Sequence, residues 1–208
     1  MELHIHPASP NCVAVLAATA CLAQDIEIHH VDLFNNAQRD PAFLRMNPNG
    51  LVPVLADGAF VLWETTAILQ YLASLDPQAR LLAHGERERA DVARWLAWGL
   101  AHWNPALQPF IYERMFKPLK GLGTPDEERL ASLKPRLAAV AGVLDEHLAA
   151  TRFVCGERIG ICDLYLAAYP IYAPQAGIEF DAYPHLHRWL ERVHAMPEWR
   201  HAAGKTAS

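Results

Sequence analysis

Asn47-Pro48-Asn49-Gly50-Leu51-Val52-Pro53-Val54-Leu55, followed by Trp63-Glu64-Thr65-Thr66-Ala67-Ile68, is the passage on which the reading of this 208-residue chain turns. The run Asn-Pro-Asn-Gly is turn chemistry, and it delivers the chain into a short apolar strand. Proline has no N–H to give to a sheet, so Val52 keeps a free N–H and C=O at the strand end. Such an edge pairs with an added peptide strand. Glu64-Thr65-Thr66 then opens a helix whose unsatisfied N–H groups suit a carboxylate. A peptide-pairing edge beside a carboxylate cradle points to a small peptide ligand with a free carboxylate.

Working outward, Leu3 and Ile5 alternate with polar neighbours and predict a strand. His6-Pro7-Ala8-Ser9-Pro10 ends it, and Val13, Leu16, Ala17 and Ala20 follow at helical spacing over about residues 11–23. Ile26 and Ile28 predict a second strand. Asp40-Pro41 reads as a helix cap and first turn. Two apolar runs around Asp57-Gly58 read as a hairpin, and Ile68, Tyr71, Leu72 and Leu75 as the next helix. The order β-α-β-α-β-β-α implies a mixed four-stranded sheet covered by helices. Residues 74–85 read as a linker. Beyond it every apolar pattern is helical: Val92 to Trp103, Leu130 to Leu148, Leu164 to Ile171 and Leu186 to Val193. The fold class is therefore an α/β domain over residues 1–77 followed by an all-α domain over 86–208.

Composition narrows the function. The chain is 52% hydrophobic and 20% charged with a net charge of −5, and it carries no Lys/Arg block. Neither a nucleic-acid partner nor an anionic membrane surface is expected. The four cysteines, Cys12, Cys21, Cys155 and Cys162, lack metal or disulfide spacing, and the eleven histidines are scattered. No metal is expected. Met1-Glu2-Leu3-His4 lacks the parts of an export leader, so a cytoplasmic location is expected.

At this point the chain resembles the cytosolic glutathione transferase superfamily, of the serine type seen in phi-, theta- or nu-like and bacterial members. The resemblance rests on Asn47-Pro-x-Gly-x-Val-Pro53, Glu64-Thr-x-Ala-Ile68 and Tyr183-Pro-x-Leu-x-x-Trp189, in order. It implies that the first domain is thioredoxin-like and binds glutathione as co-substrate. It implies a cis bond before Pro53 and backbone pairing of Val52 with the cysteinyl unit. Glu64 and Thr65 would hold the γ-glutamyl end, although the same pair serves as an ordinary helix start. Gln38 and Arg39 fall where the family places a group for the glycine carboxylate. Leu51 stands where the family often has Gln or Lys, which removes one side-chain contact.

The resemblance places chemistry at Ser9, whose hydroxyl would donate to the glutathione sulfur. A hydrogen bond to the charged form lowers a thiol pKa from its ordinary value of about 8.5. Ser9 is also a favoured helix cap. Asn11 is a second possible donor, and Cys12 is a possible partner in a mixed disulfide. The helix carrying Trp95, Trp98, His102, Trp103, Phe110, Tyr112 and Phe116 would border a small hydrophobic electrophile, with His102, Tyr112 and Arg114 as polar candidates. The implied role is conjugation and detoxification of such electrophiles by a homodimer. A non-catalytic binding or regulatory protein on the same fold, and a glutathione-dependent thiol–disulfide reductase or peroxidase, are the alternatives. In the second domain Gly160 and Asp163 match a buried family capping box, with Gly160 replacing the usual Ser or Thr.

Overall fold

The computed structural model describes residues 1–82 and 85–205. The predicted linker over 74–85 and the last residues of the expected helical domain therefore lie partly outside the described residues. The chain divides into two compact units, one covering Met1–His84 and Ala195–Ser208 and the other Gly85–His194.

The first unit has the expected order: β1 (Glu2–Ile5), α1 (Pro10–Cys21), β2 (Glu27–His30), α2 (Pro41–Met46), β3 (Val54–Asp57), β4 (Phe60–Trp63) and α3 (Thr65–Ser74). The four strands lie in the order β2-β1-β3-β4. β1 runs parallel to β2 and antiparallel to β3, and β3 and β4 form the hairpin around Asp57-Gly58. Leu3, Ile5, Val54 and Leu55 are fully buried in this sheet. α1 is apolar nearly all round, with Cys12 to Ala18 buried, which marks a helix covered on several sides. One cover comes from the far end of the chain. The last helix, α10 (Pro197–Lys205), packs on α1, and Trp199 and Ala202 are buried. The sequence reading assigned residues 195–205 to the helical domain. Arg80 closes the carboxyl-terminal end of α1 by donating to the carbonyls of Cys21 and Leu22. Its guanidinium also binds Asp76 and holds that carboxyl down at about 2.

The second unit begins with one continuous helical rod: α4 (Glu86–Trp98), a π-helical stretch (Gly99–Trp103), α5 (Asn104–Ile111), a second π stretch (Tyr112–Phe116) and α6 (Lys117–Leu119). The prolines explain the π stretches. Pro105 and Pro118 offer no N–H to the carbonyls of Ala101 and Arg114, and both of those residues lie in π stretches. α7 (Glu127–Leu148), α8 (Ile161–Leu166) and α9 (Pro184–His194) complete the unit. Trp103 is fully buried between Trp98 and Phe180, and its indole N–H donates to the Leu166 carbonyl at 2.8 Å.

Asp163 fixes the start of α8. It is fully buried, and its carboxylate accepts from the Val154 amide (2.9 Å), the Gly160 amide (2.9 Å) and the Trp189 indole (2.7 Å). Gly160 has no side chain, so only the Asp163 half of the capping box forms. Burial pushes the Asp163 carboxyl up to about 6, and the three donors pull against that rise.

Asp163→Ala would leave three buried donors unpaired, at about 1–3 kcal/mol each before relaxation. The expected loss is about 3 kcal/mol or more, read from the urea midpoint at neutral pH. A raised folded-state pKa makes the wild type gain stability relative to Asp163→Asn as pH falls from 6 towards 4. The same denaturation curves at several pH values check this.

Candidate functional site

The strand register decides what the first unit brings together. His4 pairs with Val54, and Val54 pairs with Trp63. Continued past the strand ends, that register sets His6 beside Val52 and Glu64 beside Pro53. β2 runs parallel to β1, so its end at His30 emerges at the same edge. Four segments therefore meet at one end of the sheet: the His6–Ser9 loop, the loop after β2, the Asn47–Pro53 loop and the start of α3.

The Asn47–Pro53 loop is held by one side chain. Asn47 is 2% exposed; its amide donates to the Leu51 carbonyl at 2.8 Å, and its carbonyl oxygen accepts from the Asn49 backbone at 3.0 Å. Gly50 N–H closes the turn on the Asn47 carbonyl at 2.9 Å. Gly50 has φ of +62°, and a Cβ there would come within 2.8 Å of Arg39 Nη1 and 3.0 Å of the Gln38 carbonyl oxygen. Gln38 and Arg39, in the short 3-10 turn Ala37–Arg39, therefore lie against the loop that carries Val52. Gln38 Oε1 is buried without a partner among the described residues. The Val52-Pro53 bond is cis. Val52 has a buried side chain, and its N–H and C=O make no backbone hydrogen bond among the described residues. Leu51 is exposed at 59%.

Glu64 stands at the start of α3 with φ of +74°, a conformation that non-glycine residues hold only where the surroundings impose it. Its side chain is exposed, that of Thr65 is buried, and no side chain caps the first turn. The orphan amides of α3 thus begin beside an acidic group and a hydroxyl.

Ser9 occupies the N-cap position of α1 in an extended conformation, yet its side chain makes no capping bond. Its hydroxyl is instead in hydrogen-bond reach of the Cys12 thiol. Cys12 is fully buried, and burial pushes its thiol up to about 11. Asn11 follows Ser9 in the first turn of α1 and is half-buried. The sequence did not single out His6. It is 8% exposed, its Nδ1 accepts from the Ala8 amide at 3.0 Å, and its carbonyl accepts from the Ser9 amide at 3.0 Å. The one legible signal was a hydrogen-bonding side chain just before a proline turn.

The aromatic stripe of the second unit divides. Trp95, Trp103 and Phe110 are core, whereas Tyr112 and His102 are exposed. Arg114 is committed elsewhere, paired with Glu127 and donating to the Ala176 and Gly177 carbonyls.

Residues 3–80 match the family model described as "Glutathione S-transferase, N-terminal domain", and residues 101–197 match "Glutathione S-transferase, C-terminal domain". The chain is 32% identical over 205 residues to glutathione S-transferase 3 of Zea mays, covering 96% of this chain and 91% of that one. It superposes on the crystal structure of glutathione transferase F7 of Populus trichocarpa with a TM-score of 0.89 at 27% identity, covering 99% and 98% of the two chains. A theta-class enzyme of Xanthomonas axonopodis pv. citri with glutathione bound gives 0.87 at 27% identity, covering 97% and 96%.

The crowded, left-handed position of Gly50 yields a direct expectation. Gly50→Ala should cost about 1–3 kcal/mol of stability, read as a lower denaturant midpoint. Arg39, which lies against that position, should shift with it.

Proposed function

Because the chain belongs to the glutathione S-transferase family and is a glutathione transferase using glutathione as co-substrate, we propose that the sheet end holding Ser9, Val52 and Glu64-Thr65 is where it binds and activates that thiol. The observation that carries this is the shared register, which gathers a free backbone edge, a helix start and a hydroxyl loop at one edge of the sheet. The Val52 N–H and C=O pair with the cysteinyl unit. The Glu64 carboxylate accepts from the γ-glutamyl ammonium. The Thr65 hydroxyl and the first amides of α3 donate to the adjacent carboxylate. Gln38 and Arg39 donate to the glycine carboxylate. With Leu51 this hold lacks one polar side chain, so the backbone of Val52 carries more of it.

Ser9 supplies the chemistry. Cys12 keeps its proton, because its thiol sits at about 11. The Ser9 hydroxyl only partly offsets that burial, and with glutathione bound it turns its proton to the glutathione sulfur. Asn11 and the positive end of α1 add to the same field. The thiolate then attacks the electrophilic carbon, forms the C–S bond and expels the leaving group with its electron pair. Much of the rate comes from holding the two reactants together. Small hydrophobic electrophiles are the proposed second substrates, and their detoxification in the cytoplasm is the proposed role. The proposed homodimer draws support from β4, an edge strand with Phe60, Val61 and Trp63 at 49%, 36% and 37% exposure.

Ser9→Ala is the test, with 1-chloro-2,4-dinitrobenzene as electrophile. The acid limb of kcat/KM should move up by about one pH unit or more, and kcat at neutral pH should fall about tenfold or more. A limb that stays in place would remove Ser9 from the mechanism. Separately, Cys12 should resist iodoacetamide in the native protein at neutral pH and react once unfolded, as peptide mass spectrometry would show. Rapid native alkylation would favour a thiol-exchange enzyme.

A further inference from the structure

The Ser9 side chain makes no capping bond to the backbone of α1. What fixes it is the turn before it. His6-Pro7-Ala8-Ser9 is closed by the Ser9 amide donating to the His6 carbonyl at 3.0 Å, with proline at the second position, where its fixed φ suits a turn. The same His6 reaches forward with its ring, and Nδ1 accepts from the Ala8 amide at 3.0 Å. An acceptor nitrogen carries no proton, so the neutral ring holds its hydrogen on Nε2. The ring is 8% exposed and packs edge-on against Phe34 at 5.2 Å. Phe34 lies in the loop after β2, where Asp32 accepts from the Phe34 and Asn35 amides. His6 thus ties the loop that ends in Ser9 to the loop that leads to Gln38 and Arg39.

We infer that His6 is a positioning residue for the Ser9 hydroxyl: its Nδ1 accepts from the Ala8 amide only while unprotonated, and that bond helps to hold the turn that presents Ser9 to the sulfur. This rests on the reading of Ser9 given above. Protonation at Nδ1 turns an acceptor into a donor facing another donor, so the bond breaks and the turn loosens. The charged groups around the ring oppose one another. Burial lowers the His6 pKa from its ordinary value, Asp32 raises it, and His30 lowers it. Cys12, bonded to the His6 backbone, stays neutral throughout this range. His6 therefore titrates below its ordinary range, and the bound thiol also loses its ionised form as pH falls. Both events reduce activity as pH falls.

The test compares pH profiles of kcat/KM for wild type, His6→Asn, His6→Phe and Ser9→Ala with the same chloronitroaromatic. In wild type the acid limb should reach a limiting slope of about two, because two groups must lose protons. The Asn side-chain oxygen accepts from the amide two residues on and does not titrate. His6→Asn should therefore regain activity near neutrality with a limiting slope of about one. His6→Phe keeps a ring against Phe34 and has no acceptor. Its kcat should drop about tenfold, with the KM for glutathione within about twofold of wild type. A wild-type slope of one, a slope of two that persists in His6→Asn, or an unchanged kcat in His6→Phe would each overturn the proposal. Should a variant fail to fold, nitrogen NMR of the wild type decides. His6 Nδ1 should appear unprotonated at neutral pH and titrate with the midpoint of the second acid step, and a protonated Nδ1 overturns the idea. Ser9→Ala separates the two readings. If it matches wild type, the role of Ser9 falls. If it is impaired while His6→Asn titrates like wild type, only the role of His6 falls.

Discussion

Pro53 cannot donate to a sheet, and the first unit is arranged around that missing N–H. The ladder between β1 and β3 runs only from Glu2↔Ala56 to His4↔Val54. Val52 is left just beyond the ladder with both backbone groups outside it. A buried unpaired backbone group costs free energy, so a loop of this kind persists only when something else fixes it. Asn47 does so from within, and the approach of Arg39 to Gly50 does so from outside. The Val52 edge is therefore a loop with few degrees of freedom rather than an exposed strand.

The second unit solves a different problem, that of burying polar groups in a helical core. Several of its large buried side chains carry a directed bond. The Trp103 indole reaches Leu166, the Trp189 indole reaches Asp163, and Asn104 donates to the Tyr165 hydroxyl at 2.9 Å. Glu113, 3% exposed, takes Lys117, Arg129 and the Asp126 amide, and these partners hold its carboxyl below the usual range. Apolar packing alone tolerates many helix registers. Directed bonds of this kind select one, since a slip by a single residue would strand a buried donor or charge.

Much of this was legible in the sequence, for local reasons. Alternation gave β1, Asp57-Gly58 gave the hairpin, and Asp40-Pro41 gave the start of α2. The residue order of Asn47–Pro53 and Glu64-Thr65 by itself indicates a peptide ligand. What was not legible depended on distant partners. The periodicity of Val92 to Trp103 looks like a plain helix, and only the proline spacing betrays the π stretches. Ser9 reads as a cap, and its alignment with the Cys12 thiol appears only once α1 is folded. The stripe from Trp95 to Phe116 shows the same limit: spacing puts its members near one another but does not say which of them the core consumes.

The return of α10 to α1 gives the first unit a composite ancestry along the chain, with its sheet drawn from one end and part of its cover from the other. Translation proceeds from the amino terminus, and domains tend to fold as they emerge. The sheet and α1 are thus available long before Trp199 and Ala202 arrive to cover the outer side of α1. Through that interval the nascent chain carries an uncovered apolar helix surface, and the entire second unit is synthesised before it can be closed. The arrival of α10 thus sets when the amino-terminal unit becomes complete.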